Sequence, residues 1–157
     1  IGDRHPSNIM IQSSTGRTVH IDFGDSFEQT NIRSQFPELV PFRLTRMIVN
    51  ALDGGNSEGV FRKACEDMMY VSREFQSPLI SLLEIFVHEP IFDSKVGTYL
   101  QKTVLERVSK KLSGNDDGSW ETPSEPLGVQ EQIDALINVA SDESLYCRHY
   151  PGWHAYW

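Results

Sequence analysis

The period of the apolar positions changes several times along the chain, and each change marks an element. Ile9-Met10-Ile11 and Thr18-Val19-His20-Ile21 are short β-prone runs. Ser13-Ser14-Thr15-Gly16 between them is turn chemistry, so the pair predicts a hairpin. From Asp22 to Pro41 no period is sustained, which predicts a long loop of the kind compact domains keep for function. Leu44, Met47, Ile48, Ala51 and Leu52 then recur at helical spacing, with Pro41 as opener and Asp53-Gly54-Gly55-Asn56 as stop. A second helix is expected over about 57–75, with Phe61, Ala64, Cys65 and Met68 on one face. A third begins at Pro78, is apolar nearly all round and so is expected to be buried, and ends at Glu89-Pro90. A fourth covers about 95–112, aligning Val96, Leu100, Val104, Val108 and Leu112. A fifth covers about 128–140, and the chain ends in an aromatic tail.

Composition narrows the class. The chain has 157 residues, 39% hydrophobic and 23% charged, enough for one domain with a real core. Its formal charge of −8 disfavours a general nucleic-acid surface. Ser113–Pro126 holds four acids, no base, two prolines and two glycines, and reads as an acidic linker. Two cysteines, Cys65 and Cys147, are too few for a disulfide framework or a four-ligand zinc site and fit a reducing intracellular compartment. No secretory signal or membrane span is apparent, and the opening at Ile1, without Met and inside a motif, reads as a piece of something longer.

The chemistry lies at the front. Asp3 and Asn8 have four residues between them, the spacing of a phosphotransfer catalytic loop in which the Asp takes the substrate hydroxyl's proton and the Asn holds a metal ion. One hairpin later comes Asp22-Phe23-Gly24, a metal-binding signature. In-line transfer needs a hard cation between phosphates and protein, and the oxygens of Asn8 and Asp22 suit Mg²⁺ or Mn²⁺. Each motif alone is weak, and their combination in this order is strong.

The order Asp3-Arg4-His5 reverses the usual His-Arg-Asp. With Gly2, Pro6-Ser7-Asn8 and His20-Ile21-Asp22-Phe23-Gly24-Asp25, it resembles the phosphatidylinositol 3-kinase-related protein kinases. Val40-Pro41-Phe42-Arg43-Leu44-Thr45-Arg46 resembles the segment closing that family's activation loop. Residues 127–157, ending Tyr150-Pro151-Gly152-Trp153-His154-Ala155-Tyr156-Trp157, resemble its FATC tail, nearest to the target-of-rapamycin branch. The resemblance implies a protein-kinase-like (PI3/PI4-kinase-type) C-lobe, mostly α with a small β-hairpin at the active site and without the N-lobe. In that division residues 1–112 form the C-terminal half of the catalytic domain, 113–126 the linker and 127–157 the FATC domain. The catalytic loop is 1–8 and the activation loop 22–42, with Phe23, Gly24, Asp25, Pro41, Phe42 and Arg43 as its marker residues.

The same resemblance implies Asp3 and His5 as catalytic groups and Asn8 and Asp22 as metal ligands. It implies ATP and Mg²⁺ (or Mn²⁺) as cofactors, and a non-specific serine/threonine protein kinase acting in growth and nutrient signalling in the cytoplasm, at endomembranes or in the nucleus. Expected partners are protein substrates, a β-propeller subunit and scaffold subunits, with no direct nucleic-acid binding. The Gly-rich phosphate loop and ATP-pairing Lys would precede Ile1, so the piece alone is expected to be inactive. Alternatives are a DNA-damage-type relative, a lipid kinase or an inactive scaffold. A lipid kinase would need clustered bases, yet residues 22–40 offer only Arg33 against Asp22, Asp25, Glu28 and Glu38. In the tail, Tyr150, Trp153, Tyr156 and Trp157 are expected to pack on the core, to form an interface or to touch a membrane. Cys147 matches the first of two family cysteines, and the second position is His154, so a disulfide switch there is not expected.

Overall fold

The computed structural model describes residues 1–27, 29–32, 34–87, 97–118 and 123–156. Trp157, Glu28, Arg33, Lys95, Val96 and the Glu89-Pro90 helix stop lie outside the described residues. The chain divides into two compact units, 1–57 with 136–157, and 58–135.

In the first unit, β1 (Ile9–Ile11) pairs antiparallel with β2 (Thr18–His20), with Ile9 opposite His20 and Ile11 opposite Thr18. The turn closes on Gly16, whose φ of 71° is left-handed, a region that glycine enters without steric cost. After the hairpin the backbone is irregular, with one 3₁₀ turn at Gln29–Ile32. Helix α1 (Arg46–Ala51) starts five residues later than Pro41, where the sequence pattern put the start. Tertiary bonds claim the intervening backbone: the Leu44 N–H donates to the Tyr146 hydroxyl at 3.2 Å, and Thr45 is extended with φ −67° and ψ 160°. Leu44 and Thr45 are both fully buried.

The second unit holds α2 (Val60–Glu74), α3 (Gln76–Val87) and α4 (Gly97–Leu112). Helix α5 (Val129–Ala140) begins in this unit and ends in the first. Helix α3 departs from expectation: Leu79, Leu82 and Ile85 are 41%, 66% and 68% exposed. Its described neighbours, α2 and α4, cover one stripe of a helix whose apolar residues run around its circumference. The acidic segment is pinned where it is described. Gln132, wholly buried, donates from Nε2 to the carbonyls of Lys111 (3.0 Å) and Asp116 (2.7 Å), and Leu127 N–H reaches Gly114 O at 2.9 Å.

Back in the first unit, short α6 (Glu143–Tyr146) is capped by the Asp142 carboxylate, which accepts from Ser144 N–H at 2.8 Å. A 3₁₀ turn, Pro151–Trp153, follows. The core of this unit is Val40, Tyr146 and Trp153, flanked by Leu145, Tyr150 and Ala155. The aromatic tail therefore packs on the residues that close the long loop. Among the described residues no helix is long and apolar enough to cross a membrane.

Candidate active site

The first eight residues form an irregular loop ending in a 3₁₀ turn, Pro6–Asn8, with Pro6 in the first-turn position where a missing N–H costs nothing. Arg4, 7% exposed, is its hub. Its Nε donates to Gly2 O at 2.8 Å and Nη1 to Ile21 O at 2.8 Å and Asn8 O at 3.3 Å, while Nη2 donates to Asp22 O. One guanidinium thus binds the loop to the end of β2 and brings the backbones of Asn8 and Asp22 together. The fork of donors on a planar, permanently charged group suits this task as a Lys would not. Gly2 N–H donates to Asp25 O at 2.6 Å, drawing the residue after the Phe23-Gly24 pair against the loop. A side chain on Gly2 would run into Thr30, with Cγ2 only 2.6 Å from its Cβ, so the close approach requires glycine.

Asp3 has φ 56°, a left-handed conformation that Asp tolerates at some cost and that its surroundings must hold. They do so from three sides. The Asp3 N–H donates to Glu38 Oε1 at 2.8 Å, the Asn8 Nδ2 donates to Asp3 O at 3.0 Å, and the Tyr150 hydroxyl donates to Asp3 Oδ1 at 3.1 Å. His5 Nε2 stands 3.9 Å from Asp3 Oδ2, beyond hydrogen-bond reach and close enough for attraction when the ring is protonated. Glu38, 8% exposed, is satisfied on both oxygens: Oε2 accepts from Thr30 Oγ1 at 3.0 Å, and Oε1 accepts from the Trp153 indole N–H at 2.8 Å as well as from Asp3.

Arg43 completes the joint with the tail. Its Nη1 donates to Trp153 O at 2.6 Å and to Arg4 O at 3.3 Å, its Nη2 to His154 O at 2.9 Å, and its guanidinium lies 4.4 Å from the Trp153 ring centroid. Burial lowers the Arg43 pKa, opposed by Tyr146, Glu38 and Tyr150. His149 stacks on Trp153 at 4.4 Å between centroids, and burial holds its pKa below the ordinary histidine value.

The sequence-derived residues fall into three groups. Asn8 and Asp22 are joined by Arg4, Asp3 is tied to Asn8, His5 stands beside Asp3, and Asp25 is bound to Gly2, with Phe23 and Gly24 between Asp22 and Asp25 in the chain. Pro41, Phe42 and Arg43 lead into the tail joint, which includes Tyr150 and Trp153. Cys147 and Tyr156 lie apart at an exposed edge, where Arg46 Nε donates to Tyr156 O at 3.1 Å. The donor set fits a hard cation. Asn8 uses its amide nitrogen on Asp3 O, which leaves the amide oxygen for another partner, and Asp22 is an exposed carboxylate with Oδ1 turned to Gly24 N–H at 3.3 Å.

A model of the phosphatidylinositol 3- and 4-kinase family matches residues 1–96, more than half the chain. The chain belongs to this family. Residues 126–157 match the FATC domain, and the two together are the arrangement of the phosphatidylinositol 3-kinase-related protein kinases. The chain is 36% identical over 187 residues to the target of rapamycin homolog of Caenorhabditis elegans, aligning over 100% of its own length and 7% of that protein. It is 34% identical over 168 residues to the serine/threonine-protein kinase ATM of Drosophila melanogaster, covering 98% of the chain and 6% of that protein. The solved FAT and kinase domain of CtTel1 superposes with a TM-score of 0.82 at 35% identity, covering 100% of this chain and 11% of that one. The fold is thus the mostly helical C-lobe of this kinase family, with the small two-stranded sheet beside the catalytic loop. Set against its curated relatives, the chain spans a small fraction of their length.

Four residues of this candidate site escape sequence reasoning. Glu38 is one acid in an irregular loop, Thr30 one of many small polar residues, and His149 one histidine in an aromatic tail; none belongs to a periodic pattern or a motif. Arg4 stands inside the motif, but only its burial shows that it is the joint.

Proposed function

We propose that the chain carries the catalytic loop, metal ligands and activation loop of a serine/threonine protein kinase that uses ATP and Mg²⁺ (or Mn²⁺), acting in target-of-rapamycin-type signalling. The observation that carries this reading is the joining of the Asn8 and Asp22 backbones by the buried Arg4, with Asp3 tied to Asn8 through the Asn8 amide. Asp3 accepts the proton of the substrate hydroxyl. Asn8 and Asp22 hold the cation, which when bound neutralises charge on the phosphates. His5, beside Asp3, adds positive charge near the transferred phosphate when protonated. The names of the relatives support protein kinase activity, and the scarcity of bases in residues 22–40 speaks against a polyphosphorylated lipid headgroup.

The Drosophila ATM and CtTel1 similarities favour a second reading, a DNA-damage-type kinase of the same chemistry. A rapamycin-binding segment in the intact protein would favour the first. Protein substrates, a β-propeller subunit and scaffold subunits belong to the proposal, as does a cytoplasmic or endomembrane location. Among the described tail aromatics, exposed Tyr156 is open to a membrane or partner.

The test is phosphate transfer from ATP to a protein substrate by the intact protein. Asp3→Ala should lower kcat about 10²–10⁴-fold at an unchanged ATP KM. Asp22→Asn should move the Mg²⁺ titration to higher concentration. An Asp3→Ala protein with wild-type kcat, or an unmoved titration, refutes the assignment.

A further inference from the structure

The tail and the catalytic loop meet at two points that share one residue. The Glu38 Oε1 atom accepts both the Asp3 N–H and the Trp153 indole N–H, each at 2.8 Å. The Tyr150 hydroxyl donates to Asp3 Oδ1 at 3.1 Å. Between these points, Trp153 N–H returns to Tyr150 O at 2.9 Å and fixes the turn that carries Tyr150. A closed ring results: Asp3 backbone, Glu38, Trp153, Tyr150, Asp3 side chain. Gly152 permits it, since a Cβ there would lie 2.6 Å from Tyr150 Cε2.

We infer that Tyr150 is a positioning residue for Asp3, acting through that hydrogen bond; the inference rests on the kinase reading above. Two facts carry it. Asp3 holds a left-handed backbone at φ 56°, so its side chain direction depends on outside restraint. With Oδ1 engaged by the tyrosine, the other oxygen, Oδ2, faces His5 at 3.9 Å. Oδ2 is then the atom that receives the proton. The substrate hydroxyl's O–H bond breaks toward Oδ2 as its oxygen bonds the γ-phosphorus, and the bridging P–O bond of ATP breaks with its electron pair leaving on ADP. A carboxylate free to rotate would present either oxygen at varied angles, and general-base catalysis loses rate when its geometry loosens. The FATC tail, on this inference, contributes one hydrogen bond to the catalytic base in addition to its packing.

The experiment uses the intact protein and compares wild type, Tyr150→Phe and Asp3→Ala by kcat, both KM values and melting temperature. Tyr150→Phe keeps the ring and removes the hydroxyl. The expected result is a kcat reduced about tenfold, the size of one lost hydrogen bond to a charged group, with both KM values and melting temperature as wild type. A wild-type kcat in Tyr150→Phe beside an inactive Asp3→Ala overturns the inference and leaves the kinase reading standing. A loss in Tyr150→Phe that comes with a matching fall in melting temperature or rise in KM also overturns it, because the hydroxyl would then be structural. Wild-type activity in Asp3→Ala defeats both readings together.

Discussion

Replacing Trp153 by Ala measures how firmly the tail holds the loop at residues 1–8. The side chain is 1% exposed and packs on Tyr146, with ring centroids 5.7 Å apart, and on His149 at 4.4 Å. Truncating a buried aromatic of this size costs about 3–5 kcal/mol. Two further losses act in the same direction: the Arg43 guanidinium loses its aromatic face, and the buried Glu38 loses one of the two donors to its Oε1. These losses overlap, so about 4 kcal/mol is a fair lower figure for the whole change, against a margin of about 5–15 kcal/mol for an entire domain. Hydrogen exchange reads the result residue by residue. Where opening of this unit limits exchange, 4 kcal/mol lowers protection about a thousandfold. The loss should appear in the tail and also at Gly2 and Asp3, whose N–H groups donate to Asp25 O and Glu38 Oε1. Trp153→Phe should cost less, since it keeps most of the packing. If Trp153→Ala leaves the protection of Gly2 and Asp3 at wild-type level, the loop at residues 1–8 does not depend on the tail and the reasoning fails.

Two other outcomes follow from buried contacts. His149 Nδ1–H donates to Leu145 O at 3.1 Å, its Nε2 is buried without a hydrogen-bond partner among the described residues, and burial lowers its pKa from 6.5, with Glu38 and Arg43 as further charged influences. The unfolded chain therefore binds a proton more readily than the folded one, so stability should fall as pH drops below about 6.5 and stay level above it; His149→Gln should flatten that limb in melting experiments from pH 5 to 8. Gly2→Ala should lower the melting temperature by the equivalent of about 1–3 kcal/mol through overpacking on Thr30, and Thr30→Ala in the same protein should recover part of it, because two of the three clashing atoms are then gone.

Local rules suffice for part of this molecule. The hairpin follows from alternating β-prone runs around turn residues, and its register places Ile9 opposite His20. The spans of α2 and α5 follow from helical periodicity, and the residue types and spacing of Asp3, Asn8 and Asp22 are enough to suggest the proposed chemistry, because phosphate transfer needs a base and oxygen ligands in a fixed order. Other features depend on groups far apart in sequence. The stretch from Pro41 to Thr45 is expected from sequence to be helical, yet it stays irregular, since its N–H and side-chain groups gain more from Tyr146, Trp153 and His154, over one hundred residues away, than from one more helical turn. Helix α3 has an apolar sequence that periodicity alone assigns to a core, but burial needs neighbours on every side, and sequence pattern does not count neighbours. The tail is a similar case: its aromatics favour packing but also fit an interface or a membrane, and what buries Trp153 is Glu38 and Arg43, whose charged groups meet the indole at both its N–H and its face. A hydrogen bond between residues 38 and 153 leaves no periodic trace in either segment, so only the folded chain brings the tail to Asp3.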